Sequence, residues 1–96
     1  MWYAVETGEA LNNKPIRLSV HAKMQLSYRG ATEIETRDAI QTSDWKPSEL
    51  GRLECRKNFE FNNTWNDKFY KTKQIRPIFA EEENEIVVVT VYVYYF

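Results

Sequence analysis

The single histidine of this chain and its arginines are the side chains best suited to proton transfer and phosphate binding. His21 and Arg29 lie eight residues apart in RLSVHAKMQLSYRG, a spacing that places them on roughly the same face of a helix. An imidazole accepts and donates protons near neutral pH, and a guanidinium binds phosphate oxygens in a bidentate manner. The pair therefore favours acid–base chemistry beside a phosphate group.

Further candidates lie in the C-terminal half of the chain. The ending EIVVVTVYVYYF is rich in β-branched and aromatic residues, which predicts a strand whose side chains alternate between two faces. One face is predicted to bury Val87, Val89, Val91 and Val93. The two preceding strands each have a polar face as well. A three-residue loop, 82–84, would place Arg76 opposite Thr90 and so bring the polar side chains of all three strands to the same side of the sheet. The strand side chains predicted to share that second face are Arg56, Gln74, Arg76, Thr90, Tyr92 and Tyr94.

Each candidate also has a purely structural interpretation. His21 could hydrogen-bond a backbone carbonyl at the start of its helix, and Arg29 could interact with the C-terminal end of the same helix. Arg56 and Arg76 could pair with glutamates on neighbouring strands. The two tyrosines could be ordinary core or interface aromatics.

Capping and turn signals predict the elements that position these side chains. Ser19 is a predicted N-cap for a helix that runs to about Tyr28 and ends at Gly30, and the spacing of Thr32 and Glu35 is that of a capping box. The second helix is predicted to run to about residue 41. Strands are predicted over about 52–61, 69–80 and 85–96.

The predicted fold class is α+β. Short loops between the strands make them antiparallel, and two N-terminal helices would pack on one face of a three- to four-stranded antiparallel sheet. The last strand is placed inside the sheet, since an uncharged edge strand would invite aggregation. Residues 1–15 are interpreted as an N-terminal extension and residues 16–96 as one domain.

Composition limits the class of protein. The 13 basic and 14 acidic residues give a net charge of −1, which does not favour bulk nucleic-acid affinity, although the segment 52–76 carries seven basic residues against three acidic ones. Cys55, predicted to be buried, cannot form a disulfide within the chain, and one cysteine and one histidine do not make a zinc site. We expect no metal and no cofactor. The start MWYAVETGEAL lacks the features of a signal peptide, which predicts a cytoplasmic protein without membrane association.

The run Ser-x-His-Ala followed by Arg-Gly, two helices, an antiparallel sheet and a terminal VTVY resembles the domain-of-unknown-function family 4258. The resemblance covers about residues 16–96. That family is similar to the small ribonuclease toxins of RelE and BrnT type. The resemblance implies a RelE/barnase-like fold and a metal-independent RNA endonuclease of a toxin–antitoxin pair, whose partners would be RNA and an antitoxin protein.

Metal-free cleavage of RNA needs a base for the 2′-hydroxyl, an acid for the leaving oxygen and cations on the phosphate. The residues expected to act in catalysis are His21, Arg29 and Tyr92. The residues expected to bind RNA or phosphate are Arg56, Arg76, Thr90 and Tyr94. A second hypothesis, favoured by the net charge, is a non-catalytic binding or regulatory module that contacts a protein or nucleic acid through the same scaffold. A homodimer joined through the aromatic face is compatible with either hypothesis.

Overall fold

A computed structural model describes residues 14–96 of the chain, so the predicted N-terminal extension lies almost entirely outside the described residues. Two helices precede most of the sheet, which makes the fold α+β, as predicted. The elements are β1 Ile16–Leu18, α1 Val20–Arg29, α2 Glu33–Thr42, β2 Lys46–Pro47, a 3-10 turn Glu49–Gly51, β3 Leu53–Glu54, β4 Lys57–Trp65, β5 Lys68–Glu81 and β6 Ile86–Tyr95.

Both helices begin and end where the capping signals predict. The Ser19 hydroxyl accepts a hydrogen bond from the third residue of α1 at 3.0 Å, and Gly30 ends that helix in the left-handed conformation with φ 77°. Thr32 and Glu35 form the predicted capping box at the start of α2. Within residues 14–96, no helix is long and apolar enough to cross a membrane.

The sheet has six strands, two more than the upper bound of the prediction. Its order is β1-β6-β5-β3-β2, with β4 pairing with a separate stretch of β5. One added strand is the short β1, which pairs with β6 in parallel while the other pairs are antiparallel. The first predicted long strand is interrupted at residues 55 and 56, which divides it into β3 and β4. Strand β6 lies between β1 and β5 over residues 86–88, as predicted, but from residue 89 onward no described strand pairs with its other edge.

The core forms where the apolar sides of both helices meet β1, β5 and β6. Its fully buried members from the sheet and helices include Leu18, Ala22, Leu26, Ala39, Ile40, Ile75, Phe79, Ile86, Val88 and Val91. Cys55 belongs to the same cluster, is 1% exposed and donates from Sγ to the Ala39 carbonyl at 3.3 Å. Burial raises the pKa of this thiol to about 12. The predicted burial of Cys55 is therefore confirmed.

Burial along β6 does not follow the predicted alternation. Ile86, Val88 and Val91 are buried, whereas Val87 and Val89 are only half-buried. The prediction that four alternate valines form the buried face is wrong for Val87 and Val89. It holds for the two valines nearer the C-terminus, which pack in or against the core.

A β-bulge in β6 accounts for this difference. The pairing with β5 changes from Phe79 opposite Val88 to Ile78 opposite Thr90, so Val89 is an extra residue in β6. Each inserted residue reverses the face to which the following side chains point. The side chains before the bulge therefore lie on the opposite face from the one predicted.

The register of β5 and β6 also differs from the prediction. The turn is tighter than a three-residue loop, because the Glu82 N–H donates to the Glu85 carbonyl at 2.8 Å. A tight turn alone would move Arg76 to the buried face, but the bulge restores it to the outer face. Arg76 therefore pairs with Tyr92 and not with Thr90.

Candidate functional site

The face of the sheet that points away from the core carries a cluster of arginines and tyrosines. Cross-strand pairs place Gln74 opposite Tyr94 and Arg76 opposite Tyr92, and facing residues of an antiparallel pair project to the same side. We call this surface the Tyr–Arg face. It is defined by Glu54, Arg56, Gln74, Arg76, Tyr92 and Tyr94. Thr90, also predicted to lie here, is half-buried opposite Ile78 at one end of the face.

An ion pair occupies the centre of the Tyr–Arg face. Arg76 donates from Nε and Nη2 to the two carboxylate oxygens of Glu54, at 3.1 and 2.8 Å. Its Nη1 donates to the Tyr94 hydroxyl at 3.2 Å. The hydrogen bond from Arg76, assisted by one from Ser48, holds the pKa of Glu54 below its ordinary value, so this carboxylate is ionised at neutral pH.

Arg56 lies beside this centre in the gap between β3 and β4. Its Nη1 donates to Gln74 Oε1 at 3.3 Å, and its guanidinium carbon is 5.9 Å from the centroid of the Tyr94 ring. The amide nitrogen of Gln74 in turn donates to Asn58 Oδ1 at 2.8 Å. The predicted position of Arg56 on the same face as Arg76 is therefore what the structure shows.

Arg29 reaches the Tyr–Arg face from α1, around the outer edge of β6. Its Nη1 donates to the Val91 carbonyl at 2.7 Å, and its guanidinium carbon is 5.6 Å from the Tyr92 ring centroid. The guanidinium carbon of Arg76 is 5.2 Å from the same centroid. Since α1 and β5 flank β6 on opposite sides, the Tyr92 ring lies between the two arginines.

Backbone groups of β6 that do not pair with β5 explain why α1 can reach this edge. Pro77, which has no N–H, pairs with Val91 in β6 and has no partner in the described β3 and β4 ladders. Thr72 and Phe96 exchange both of their backbone hydrogen bonds, so Pro77 and Val91, five residues along the same register, form a non-hydrogen-bonded pair. The N–H and carbonyl of Val91 therefore point away from β5. Gln25 Oε1 accepts from that N–H at 2.8 Å, and Arg29 donates to the carbonyl. Because β1 ends at Leu18, this edge of β6 is left for these α1 side chains.

His21 is exposed on α1, two turns before Arg29. Its Nε2 is 3.0 Å from the amide nitrogen of Gln25. Gln25 is 4% exposed and uses its oxygen for the Val91 N–H, so its amide nitrogen must donate to His21 Nε2. This hydrogen bond is made by the neutral imidazole with its proton on Nδ1.

Of the three residues predicted to act in catalysis, Arg29 and Tyr92 therefore lie against each other, and His21 does not reach them directly. Arg29, predicted to be catalytic, and Arg76, predicted to bind phosphate, both lie against the Tyr92 ring, whereas His21 is linked to them through Gln25 and Val91. The assignment of His21 as the acid or base stays a prediction.

A pocket of about 550 Å³ opens beside Arg76 and Tyr92. Its walls include Pro47, Glu49, Leu50, Glu54, Arg76 and Tyr92. The sequence marks glutamates such as Glu54 only as structural partners of Arg56 and Arg76, and it does not single out the loop around Leu50. The signal for Glu54 was present, because it lies two residues before Arg56 and so belongs to the same face of an extended chain. Leu50 gave no such signal.

Among the described residues, no three His, Cys, Asp or Glu side chains lie close enough together to hold a metal ion. No protein-family model, no curated protein and no solved structure matches the chain. The resemblance to ribonuclease toxins stays a prediction, and function has to be inferred from the Tyr–Arg face itself.

Proposed function

We propose that the Tyr–Arg face binds single-stranded RNA and that the chain is a metal-independent RNA endonuclease of the toxin kind. One observation carries this proposal: the guanidiniums of Arg29, Arg56 and Arg76 lie within 6 Å of two tyrosine rings on an outward-facing sheet surface. Unpaired bases stack on tyrosine rings and on guanidinium planes, and guanidinium N–H groups bind phosphate oxygens. Single-stranded RNA offers both kinds of group at adjacent positions.

The proposed architecture is RelE/barnase-like. Both helices would pack on the Ile75, Phe79 and Val91 side of the sheet and leave the Tyr–Arg face open for RNA. An antitoxin protein that neutralises the enzyme would cover the same face. Negative side chains on that partner would replace the RNA phosphates at the arginines.

The proposed cleavage uses three groups of the Tyr–Arg face. Glu54 takes the proton of the ribose 2′-hydroxyl as its oxygen attacks the phosphorus, and Arg76 stabilises the charge that develops on the phosphate. The bond from phosphorus to the 5′-oxygen breaks, and that oxygen receives a proton from the Tyr92 hydroxyl. The proton held by Glu54 then passes through water to the Tyr92 phenolate, which restores both groups. The products carry a 2′,3′-cyclic phosphate and a 5′-hydroxyl.

The choice of Glu54 as the base follows from contact. Glu54 hydrogen-bonds Arg76 directly, and a phosphate that bound Arg76 would compete for its N–H groups and leave the carboxylate more basic. His21 is linked to the face only through Gln25 and Val91, and its Nε2 already accepts a hydrogen bond. A catalytic role for His21 would have to use Nδ1.

A non-catalytic RNA-binding module is the second candidate function. The observation that favours it is the two-point pairing of Glu54 with Arg76, because the two groups neutralise each other as in a structural ion pair. In this function the arginines and tyrosines hold RNA, and no group removes the 2′-hydroxyl proton.

A single-stranded RNA and its 2′-deoxy counterpart separate the two functions. The endonuclease binds both and cuts only the RNA, leaving a cyclic phosphate, whereas the binding module binds both and cuts neither. Failure to bind either strand would contradict both functions. Arg17→Ala is a suitable control variant, since Arg17 is an exposed arginine paired with Glu85 at the far end of β6.

A further inference from the structure

We infer that the pocket beside Arg76 is a nucleobase subsite and that Leu50 is its outer wall. This inference rests on the proposed RNA-binding function and adds to it a binding site for one base of the RNA. It means that one unpaired base enters the pocket while the adjoining phosphate lies on Arg76.

The backbone at Leu50 is the first observation. Leu50 has φ 61° and ψ 33°, the left-handed conformation, which costs a residue with a side chain roughly 1–2 kcal/mol. Two hydrogen bonds hold the loop there, from Ser48 N–H to the Arg52 carbonyl at 2.7 Å and from Arg52 N–H to the Glu49 carbonyl at 3.1 Å.

Packing of the Leu50 side chain does not offset this backbone strain, because the side chain is 84% exposed. A glycine would adopt the same backbone without strain. Leu50 and Gly51 are the central residues of a turn, closed by Arg52 N–H on the Glu49 carbonyl, that needs positive φ at both positions. Residues with a side chain in such a conformation cluster at binding sites. A large apolar side chain held outward at the mouth of a pocket therefore points to a ligand with an apolar surface.

The chemistry of the pocket walls is the second observation. The lining residues include two glutamates, Glu49 and Glu54, and two arginines, Arg52 and Arg76, so their formal charges sum to zero. A site for phosphate alone would not include two carboxylates. A nucleobase has apolar faces and mixed donor and acceptor edges, which fits charged edges of both signs together with the apolar surface of Leu50.

Size and position complete the argument. The volume of about 550 Å³ lies within the roughly 300–1,000 Å³ typical of small-ligand sites. Arg76 and Tyr92 line the pocket and also belong to the Tyr–Arg face. A nucleotide whose phosphate binds Arg76 thus has its base within reach of Leu50.

The test is an NMR titration of the whole chain with nucleoside 3′-monophosphates and, as a probe without a base, ribose 5-phosphate. Every probe should shift the resonances of Arg76, but only mononucleotides should shift the amides of residues 48–52 and show contacts from base protons to the Leu50 methyl groups. Equal shifts of the loop by ribose 5-phosphate and by mononucleotides would overturn the inference.

The variant Leu50→Gly separates binding from folding. It should unfold at the same or a higher temperature than the parent, while its affinity for a mononucleotide falls roughly tenfold through lost apolar contact. Its affinity for ribose 5-phosphate should not change. Ile34→Ala, which shortens an exposed apolar side chain on α2, should change neither affinity.

Unchanged mononucleotide affinity in Leu50→Gly would also overturn the inference. If single-stranded RNA still bound that variant through Arg76 and Tyr92, the subsite alone would fail and the proposed function would stand. If the parent protein bound no RNA, both the nucleobase subsite and the proposed function would be contradicted.

Discussion

Two ion pairs on opposite faces of β5 use similar groups in different surroundings. Lys73 Nζ lies 2.9 Å from Glu35 Oε2 of α2, donates to the Gly30 carbonyl at 2.9 Å and stands over the Phe61 ring. Arg76 pairs with Glu54 on the outer face, beside a pocket. The Lys73 and Glu35 side chains are 9% and 22% exposed, and those of Arg76 and Glu54 are 23% and 12% exposed.

Burial of the charged groups therefore does not separate a structural pair from a candidate site. The contact partners distinguish the two pairs, because the contacts of Lys73 join the sheet to the end of α1 and to the start of α2. Within residues 14–96, the contacts of Arg76 join only groups of the outer face, and an open pocket adjoins them. We expect changes at Lys73 to alter stability and changes at Arg76 to alter binding.

The largest expected effect is the loss of stability in Lys73→Met. This change removes the charged partner of the Glu35 carboxylate and the shorter of two hydrogen bonds to the Gly30 carbonyl in a mostly buried place. It should lower the free energy of unfolding by about 2–3 kcal/mol. Urea denaturation measures it. The neighbouring exposed Lys71→Met is the control and should change stability by less than about 0.5 kcal/mol.

RNA affinity at low urea tests the other half of this comparison. Folded Lys73→Met should bind single-stranded RNA as the parent does. A variant that kept its stability but lost RNA binding would show that Lys73, on the helix side, belongs to the site and would remove the contrast between the two faces.

The next effect is on binding, in Arg76→Met. Loss of charged hydrogen bonds to phosphate should weaken RNA affinity by roughly 10- to 100-fold, while the methionine retains apolar contact with the Tyr92 ring. Fluorescence anisotropy with a labelled single-stranded RNA measures the change. Arg17→Met removes the same charge away from the face, and an equal loss there would mean that general charge, not the site, governs affinity.

The sequence predicts most of what local signals determine. Ser19, Gly30 and the pair Thr32 and Glu35 fix the helix ends through hydrogen bonds made within a few residues, so these boundaries could be foreseen. The membership of the outer face could also be foreseen from alternation in β5 and from the β6 side chains that follow the bulge.

The parts that could not be predicted depend on contacts between distant segments. The run of valines is apolar on both faces, so nothing in it marks Val89 as the bulge or Val88 as a core residue. The parallel partner of β6 is a three-residue strand, whose sequence IRL indicates an extended segment but not the strand with which it pairs. Leu50 is held by a loop geometry that its residue type opposes.

A smaller effect concerns pH and Glu54. Its pKa in the folded protein lies below the ordinary value of 4.5, so its stabilising contribution is complete above that value and is lost as the pH falls through the lowered pKa. Glu54→Gln should cost about 1 kcal/mol at pH 7, and the difference from the parent should shrink as the pH approaches 3.

Thermal unfolding of both proteins between pH 7 and pH 3 measures this difference. Contributions from other carboxylates, such as Glu85 beside Arg17, are common to both proteins and cancel. A difference between parent and Glu54→Gln that stayed constant down to pH 3 would mean that the ion pair with Arg76 is not its source.

The smallest expected effect is that of His21→Ala. The change removes one exposed acceptor from the Gln25 amide nitrogen but leaves the bond from the Val91 N–H to Gln25 Oε1, so the free energy of unfolding should fall by less than about 1 kcal/mol. Gln25→Ala leaves the Val91 N–H without its partner and should cost about 1–3 kcal/mol. Denaturation of the two variants measures this contrast.

RNA cleavage by His21→Ala then tests which group is the base. If Glu54 removes the 2′-hydroxyl proton, this variant should cut RNA at a rate within about threefold of the parent, because position effects transmitted through Gln25 and Val91 are small. Glu54→Gln should lose at least about 100-fold. Abolished cleavage in His21→Ala with an unchanged unfolding temperature would return the acid or base role to His21 Nδ1. It would also require α1 to bring that nitrogen to the phosphate around the open edge of β6.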